Sequence, residues 1–433
     1  MFGTESLAIN AQGHLTIGGM DVPALAKQYG TPLMIMDEGY IRSTACAYLD
    51  AMRKHYGENA DVSYASKAFC TGYMYKILAE AGLCADVVSG GELYTARAAG
   101  FPMERVFLHG NNKTPDEIAL ALDAGIGHFV SDNLTELDLI DALAAERGVV
   151  ADIMLRVKPG VEAHTHDFVK TGQIDSKFGV AIETGEALDA IGAILTHKNL
   201  RYVGIHCHIG SQILETAPFG EAARVMTDFM VAIRDKYGVE TAELNLGGGF
   251  GVRYTAEDVP HTVEENISAL CTAVKSELDA KNLGRPRLLI EPGRSMVAPA
   301  GITVYTVGSV KTIPGIRTYV SIDGGMTDNP RYILYSSKYE FLLPAYANEP
   351  RTEVVTIAGR NCESGDLLGE HVEIQPVKPG DLLCTLTTGA YNYSMASNYN
   401  RVPRPAVVMV RDGEDKLVIR RETYEDLISR DIF

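Results

Sequence analysis

The chain has 433 residues and a formal net charge of −17 at pH 7. An acidic surface repels phosphate backbones, which excludes nucleic acid as a main partner. Hydrophobic residues make up 46% of the chain, enough for a large core; no apolar run reaches the roughly 18 residues of a membrane span; and seven cysteines, an odd number without C-x-x-C, argue against stapling disulfides or structural zinc and for a reducing cytoplasm.

The first residues, MFGTESLAINAQGHL, lack a basic stretch followed by an apolar core, so no secretory signal is expected. LTIGG and PLMIMD then read as strands without an obvious partner in the next stretch of chain. They are expected to join the β-rich C-terminal part, and residues 1–36 are assigned to it. A helix from Glu38 to about Tyr56 leads onward. Beyond it, short apolar runs alternate with helical patterns. The predicted strands are 62–65, 85–88, 106–108, 128–130, 153–157, 202–208, 243–246 and 288–291. Most are continuous apolar runs, as in strands buried on both faces. Predicted helices include 68–81, 91–99, 115–124 and 134–147. Thr114 followed by Glu117 reads as a capping box, and Gly82, Gly100, Gly125 and Gly148 fall where helices should end. Eight such units predict a (β/α)8 barrel over 37–295, with a doubly wound open sheet as the alternative. From 296 to 433, short strands and turn residues without a long helix predict a mainly antiparallel β-domain.

In a barrel, catalytic groups belong at the C-terminal ends of the strands. Four segments fall there. SYASKAF ends its strand at Lys67, which burial could depress into a Schiff-base-forming amine; an ion-paired or snorkelling lysine is the plainer reading. GIHCHIGSQ puts His206 and His208 at i and i+2, on one face of a strand. They could be metal ligands, but no acidic third ligand lies nearby in sequence and no metal is assigned. Stacking on a planar cofactor and a structural role are the alternatives. LNLGGGFG offers backbone N–H groups at Gly247, Gly248 and Gly249 to an anion, or makes a tight turn. LIEPGRSMV closes the eighth strand with Glu291 and Arg294, charges that are costly there unless paired or functional. An amine, a ring, an anion cradle and a carboxylate at one barrel mouth suit pyridoxal 5′-phosphate.

The motifs SYASKAF, CADVVSGGEL, HTHDFVKTGQIDSKFG, HCHIGSQI, LNLGGGFG, EPGRSMV, DGGMTDNPR, CESGD and GAYNYSMASNYN run through nearly the whole chain. In this order they resemble the diaminopimelate decarboxylase family, in the alanine-racemase-fold group of pyridoxal-phosphate enzymes that also includes ornithine decarboxylase. The resemblance implies a (β/α)8 barrel plus a β-domain that includes the N-terminus. It also implies a cytoplasmic homodimer that acts on a small amino acid and shares its active sites across the interface. By resemblance, Lys67 holds the cofactor and His208 stacks on its ring, with His206 in support. Ser211, Gly248, Gly249, Gly293 and Arg294 make phosphate and ring contacts, and Glu291 faces the pyridine nitrogen. Arg294, Arg331 and Tyr335 hold the substrate's distal carboxylate, Glu363 accepts its distal ammonium, and Tyr391 touches cofactor and substrate. Cys362 reprotonates the α-carbon, and Cys362 and Glu363 enter the partner's site. One departure stands out. The family shows R-P-A-L-Y where this chain has Arg331-Tyr332-Ile333-Leu334-Tyr335, with two bulkier residues between the arginine and the tyrosine. A decarboxylase of D-ornithine or D-lysine type on the same scaffold is the nearest alternative. A substrate without a distal carboxylate would not need both Arg294 and Arg331.

Overall fold

The computed structural model describes residues 2–161 and 175–433. The motif at 164–179 thus lies outside the described residues over 164–174. The chain divides into two compact units. One comprises Thr44–Gly251 and Pro260–Arg294; the other comprises Met1–Ser43, Val252–Val259 and Ser295–Phe433.

The first unit is a closed barrel. Its eight strands are Ala60–Ala65, Cys84–Val87, Val106–Leu108, His128–Ser131, Ala151–Lys158, Leu200–His206, Glu243–Asn245 and Arg287–Ile290. Each runs parallel to the next. Leu288, Leu289 and Ile290 then pair with Ala60, Asp61 and Val62, which closes the ring and excludes an open sheet. Cys84, Phe107, Val130, Met154 and Leu289, from five strands, form one buried cluster.

Local chemistry sets the helix limits. Thr71, Ser89, Thr114, Asn133 and Thr262 each accept the N–H three residues on, a cap worth about 1 kcal/mol. Thr114 and Glu117 make the expected capping box. The helix expected from residue 68 starts later. Ser66–Ala68 form a single 3-10 turn, Phe69 is extended, and the α-helix runs Gly72–Glu80. The Thr71 cap needs extended backbone at its own position, so the helix cannot reach back past it.

At the N-terminal ends of the strands, Asp61 meets Arg105 at 3.2 Å and Arg287 at 2.6 Å. Arg287 reaches Glu243 at 3.4 Å, and Glu243 meets His128 at 3.1 Å. Charges on this face of a barrel serve stability.

In the second unit, Leu33–Asp37 lies antiparallel to Gly301–Ile313 and parallel to Ala406–Arg411 within a nine-stranded, mostly antiparallel sheet. PLMIMD therefore joins that sheet as expected. LTIGG does not. Leu15–Ile17 turns at Gly18 and Gly19, with φ of 53° and 81°, into Met20–Asp21, and it also pairs with Leu7–Ile9. The two-glycine turn folds this segment back into its own three-stranded antiparallel sheet. Its Leu7, Leu15 and Ile17 still share a buried core with Leu33, Ile35, Val304 and Val408. Among the described residues no helix is long and apolar enough to cross a membrane.

Candidate active site

At the C-terminal mouth of the barrel, Glu291 follows the eighth strand directly and is buried. His206 Nε2 lies 2.9 Å from its Oε2, and His109 Nε2 lies 3.1 Å from its Oε1. Asn245 Nδ2 donates to Oε1 at 2.7 Å. Burial alone would raise the Glu291 carboxyl. The two imidazoles outweigh burial and hold it well below the usual carboxylate range. Burial also pulls the His206 imidazole down to about 4. At neutral pH it is therefore an uncharged N–H donor. Asp86 is buried beside this group, 4.0 Å from His109 Nε2, and its Oδ1 has no hydrogen-bond partner among the described residues. Burial raises its carboxyl.

The sixth strand ends at His206, so the period-two argument does not extend to His208, which lies beyond it. His208 Nδ1 accepts the Gly248 N–H at 3.3 Å. Burial, with the Lys67 charge adding to it, holds this imidazole well below its ordinary value. Gly247 N–H donates to Asn245 Oδ1 at 2.9 Å. Glycine is required in this turn. Gly247 and Gly249 have φ of 69° and 114°, and a Cβ on Gly248 would stand 2.0 Å from the Glu291 carbonyl oxygen. Ser211 Oγ accepts from Arg294 Nη2 at 2.9 Å. Gly293 brings that turn against Ala65, where a Cβ would lie 2.9 Å from the alanine methyl.

Lys67 corrects an expectation. The strand ends at Ala65, and Lys67 stands exposed on the 3-10 turn after it. The burial expected of this side chain is therefore not found. Its charge nonetheless reaches His208, Asp86 and Glu92. These groups fit pyridoxal 5′-phosphate: an accessible amine for the aldehyde, a neutral ring at His208, an ionised buried carboxylate for the ring nitrogen, and a guanidinium–hydroxyl pair beside glycine backbone for the phosphate.

Sequence reasoning did not single out Asp86, His109, Arg156 or Asn245. All four stand on the last residues of a barrel strand or just past them, so polar residues ending apolar runs were the available signal. The same holds for Lys113, which follows the third strand. Its Nζ donates to Gly110 O at 2.9 Å, Val130 O at 2.7 Å and Glu136 Oε1 at 2.7 Å.

The second unit gathers Arg331, Tyr335 and Tyr391. The buried Arg331 guanidinium lies 5.4 to 5.9 Å from the ring centroids of Tyr335, Tyr391 and Tyr254. Its Nε donates to Tyr339 Oη at 2.8 Å and its Nη2 to Ser337 Oγ at 3.2 Å. Tyr391 holds φ of 63°, a conformation that costs a non-glycine residue of order 1 kcal/mol or more. Cys362 and Glu363 sit on a separate exposed loop. Asp366 fastens that loop by accepting from the Asn361 N–H and Nδ2, each at 2.8 Å, and from the Met326 N–H at 2.6 Å. The bulkier residues of the departure face elsewhere. Tyr332 Oη donates to Glu370 at 2.9 Å, and Ile333 lies next to Gly365.

Residues 43–298 match the family model for the pyridoxal-binding domain of pyridoxal-dependent decarboxylases. The chain is 49% identical to the diaminopimelate decarboxylase of Bacillus subtilis (strain 168), over 98% of this chain and 96% of that one. It is 41% identical to that of Mycobacterium tuberculosis (strain ATCC 25618 / H37Rv), over 97% and 95%. Among solved structures, diaminopimelate decarboxylase from M. jannaschii in co-complex with L-lysine matches with a TM-score of 0.93 at 37% identity, covering 100% of this chain and 99% of that one. The Helicobacter pylori enzyme complexed with L-lysine matches with a TM-score of 0.85 at 28% identity, covering 94% and 98%. With barrel, mouth chemistry and near-full-length identity in agreement, the chain belongs to the pyridoxal-dependent decarboxylases and, within them, to the diaminopimelate decarboxylase family.

Proposed function

We propose that the chain uses pyridoxal 5′-phosphate to remove one carboxyl group from meso-2,6-diaminopimelate, giving L-lysine and CO2, the last step of lysine biosynthesis. The observation that carries this reading is the Arg331 cage. A buried guanidinium faces four tyrosines, and among the described residues no carboxylate lies within ion-pair distance of it. Such a cation is costly to bury alone, and a substrate carboxylate would complete it.

Lys67 Nζ would hold the cofactor covalently, and His208 would stack on its ring. Glu291, kept ionised, would favour a proton on the ring nitrogen. Ser211, Gly248, Gly249, Gly293 and Arg294 would bind the phosphate. When bound, the cofactor supplies an electron-accepting ring for the pair left by departing CO2. Arg331 and Tyr335, with Arg294, take the distal carboxylate; Glu363 takes the distal ammonium; Tyr391 contacts cofactor and substrate. Cys362 Sγ returns a proton to the α-carbon. Cys362 and Glu363 act in the partner's site of a cytoplasmic homodimer.

An assay of the pure protein with cofactor against a panel of diamino acids, scoring CO2 and product, tests the reaction. Diaminopimelate should give lysine, and a preference for lysine or ornithine would overturn the reading. Borohydride treatment should abolish the visible band of the bound cofactor and leave a reduced adduct on the peptide that carries Lys67. An adduct on another lysine would remove that residue from its role. For the shared site, a Lys67→Ala chain mixed with a Cys362→Ala chain should regain activity, one complete site per mixed dimer. Subunit exchange without returned activity would refute the composite site.

A further inference from the structure

We propose that Tyr339 is a positioning residue: its hydroxyl, oriented by Asn392, sets the Arg331 guanidinium so that one fork of N–H groups is presented to the substrate's distal carboxylate. The inference rests on the reading that Arg331 takes that carboxylate. Local folding brings the parts together. The helix Arg331–Tyr335 stops at Ser336, which holds φ of 52° and donates its N–H to Tyr332 O at 2.8 Å. This left-handed cap turns the chain back towards Arg331. Ser337 Oγ then accepts from Nη2 at 3.2 Å, and Tyr339 Oη accepts from Nε at 2.8 Å. Arg331, Tyr339 and Asn392 are all buried.

The direction of these bonds matters. A tyrosine hydroxyl has one proton to give, and an arginine Nε–H can only donate. If the hydroxyl proton pointed at Nε, two donors would face each other. Asn392 Oδ1 accepts that proton at 3.2 Å, which leaves an oxygen lone pair for Nε. It is the one hydrogen bond of the Asn392 side chain among the described residues, since Nδ2 has no partner there. The Tyr339 ring stands edge-on to Tyr254, with centroids 5.4 Å apart, which steadies the oxygen. The rings of Tyr254, Tyr335 and Tyr391 around the guanidinium favour a cation, but a ring face does not select which N–H groups point where. The hydrogen bonds do. They occupy the Nε–Nη2 edge, and Nη1 makes none among the described residues. Nη1 and the second N–H of Nη2 thus form the fork that a carboxylate accepts bidentately.

The test is steady-state kinetics of the full-length protein loaded with pyridoxal phosphate. The substrate is meso-diaminopimelate, and the competing ligand is 1,5-diaminopentane, which has no carboxylate. Tyr339→Phe keeps the ring and removes the hydroxyl. It should raise KM for diaminopimelate about tenfold, the lower end for losing one hydrogen bond to a charged group, and change kcat by less than about twofold. The inhibition constant of the diamine should stay within about twofold. In an Arg331→Leu background, Tyr339→Phe should add nothing to the loss in kcat/KM. Asn392→Leu should raise KM in the same direction by a smaller factor, again only with Arg331 present, and it keeps the test usable if the phenylalanine variant fails to fold. If Arg331→Leu weakens diaminopimelate selectively while Tyr339→Phe leaves KM unchanged, or adds its full effect in the Arg331→Leu background, Tyr339 merely packs and the proposal is overturned. If Arg331→Leu affects the diamine as strongly as diaminopimelate, the reading of Arg331 falls and takes the proposal with it.

Discussion

Replacing Arg331 by Leu should cost roughly 2–5 kcal/mol of transition-state binding for meso-diaminopimelate, the range for stranding one partner of a buried charge pair. That is about 30-fold to several-thousand-fold in kcat/KM. The guanidinium offers a planar fork that fits a carboxylate bidentately. Its protein donations go to Tyr339 and Ser337, which are neutral. Lysine bound with its carboxylated end at the cofactor presents only an ammonium at the far end, so its specificity constant should fall much less. Measuring both constants in both proteins decides the matter. Equal losses for the two substrates would make Arg331 a structural residue of the tyrosine cluster.

The second large effect concerns stability. The Lys113 side chain is 2% exposed and its partner Glu136 is 4% exposed. Burial pushes the lysine down and the glutamate up, and each charge opposes the shift of the other. Lys113→Met should destabilise the barrel by about 3–5 kcal/mol, because Glu136 is left as an uncompensated buried charge. The double variant Lys113→Met/Glu136→Leu should recover most of that loss. In the single variant Glu136 has no cation beside it, so its folded-state pKa lies above its unfolded value. Its neutral form is tolerated below that range, and stability is lost as pH rises through it. The deficit should therefore shrink towards acid. Denaturant titrations of the three proteins at two pH values give the answer, and a double variant no better than the single one would reject the pair as the cause.

What the sequence disclosed and what it withheld divide along physical lines. Strand positions and helix ends were legible because they depend on local runs, caps and glycines, such as Thr114 with Glu117 or Gly125 at φ of 67°. Ring closure was suggested by the count of eight and became definite only with the pairing of residues 288–290 to 60–62. The burial expected at Lys67 failed because one 3-10 turn after Ala65 carries the side chain out. The His206 partners were not legible. His109 and Glu291 come from the ends of other strands, and only a closed barrel brings three such ends together. The tyrosines around Arg331 pose the same problem, since Tyr254 and Tyr391 are far from it in sequence. LTIGG went astray because apolar alternation identifies a strand and not its neighbour.

The seam of the barrel has a consequence for the growing chain. Asp61 and Arg287, which bridge the first and last strands, are 226 positions apart. At ordinary rates of synthesis the first strand waits roughly 10–45 s for its outer neighbour to emerge. During that time it offers an open row of backbone donors and acceptors, the kind of template on which stray strands nucleate aggregates. Asp61 places a negative charge in that waiting strand, and a charge at an open edge discourages apolar segments from docking there. Arg105 can engage one oxygen of that carboxylate while the edge is still open, and the arrival of Arg287 engages the other at the moment the edge is sealed. The same carboxylate thus guards the unfinished barrel and latches the finished one.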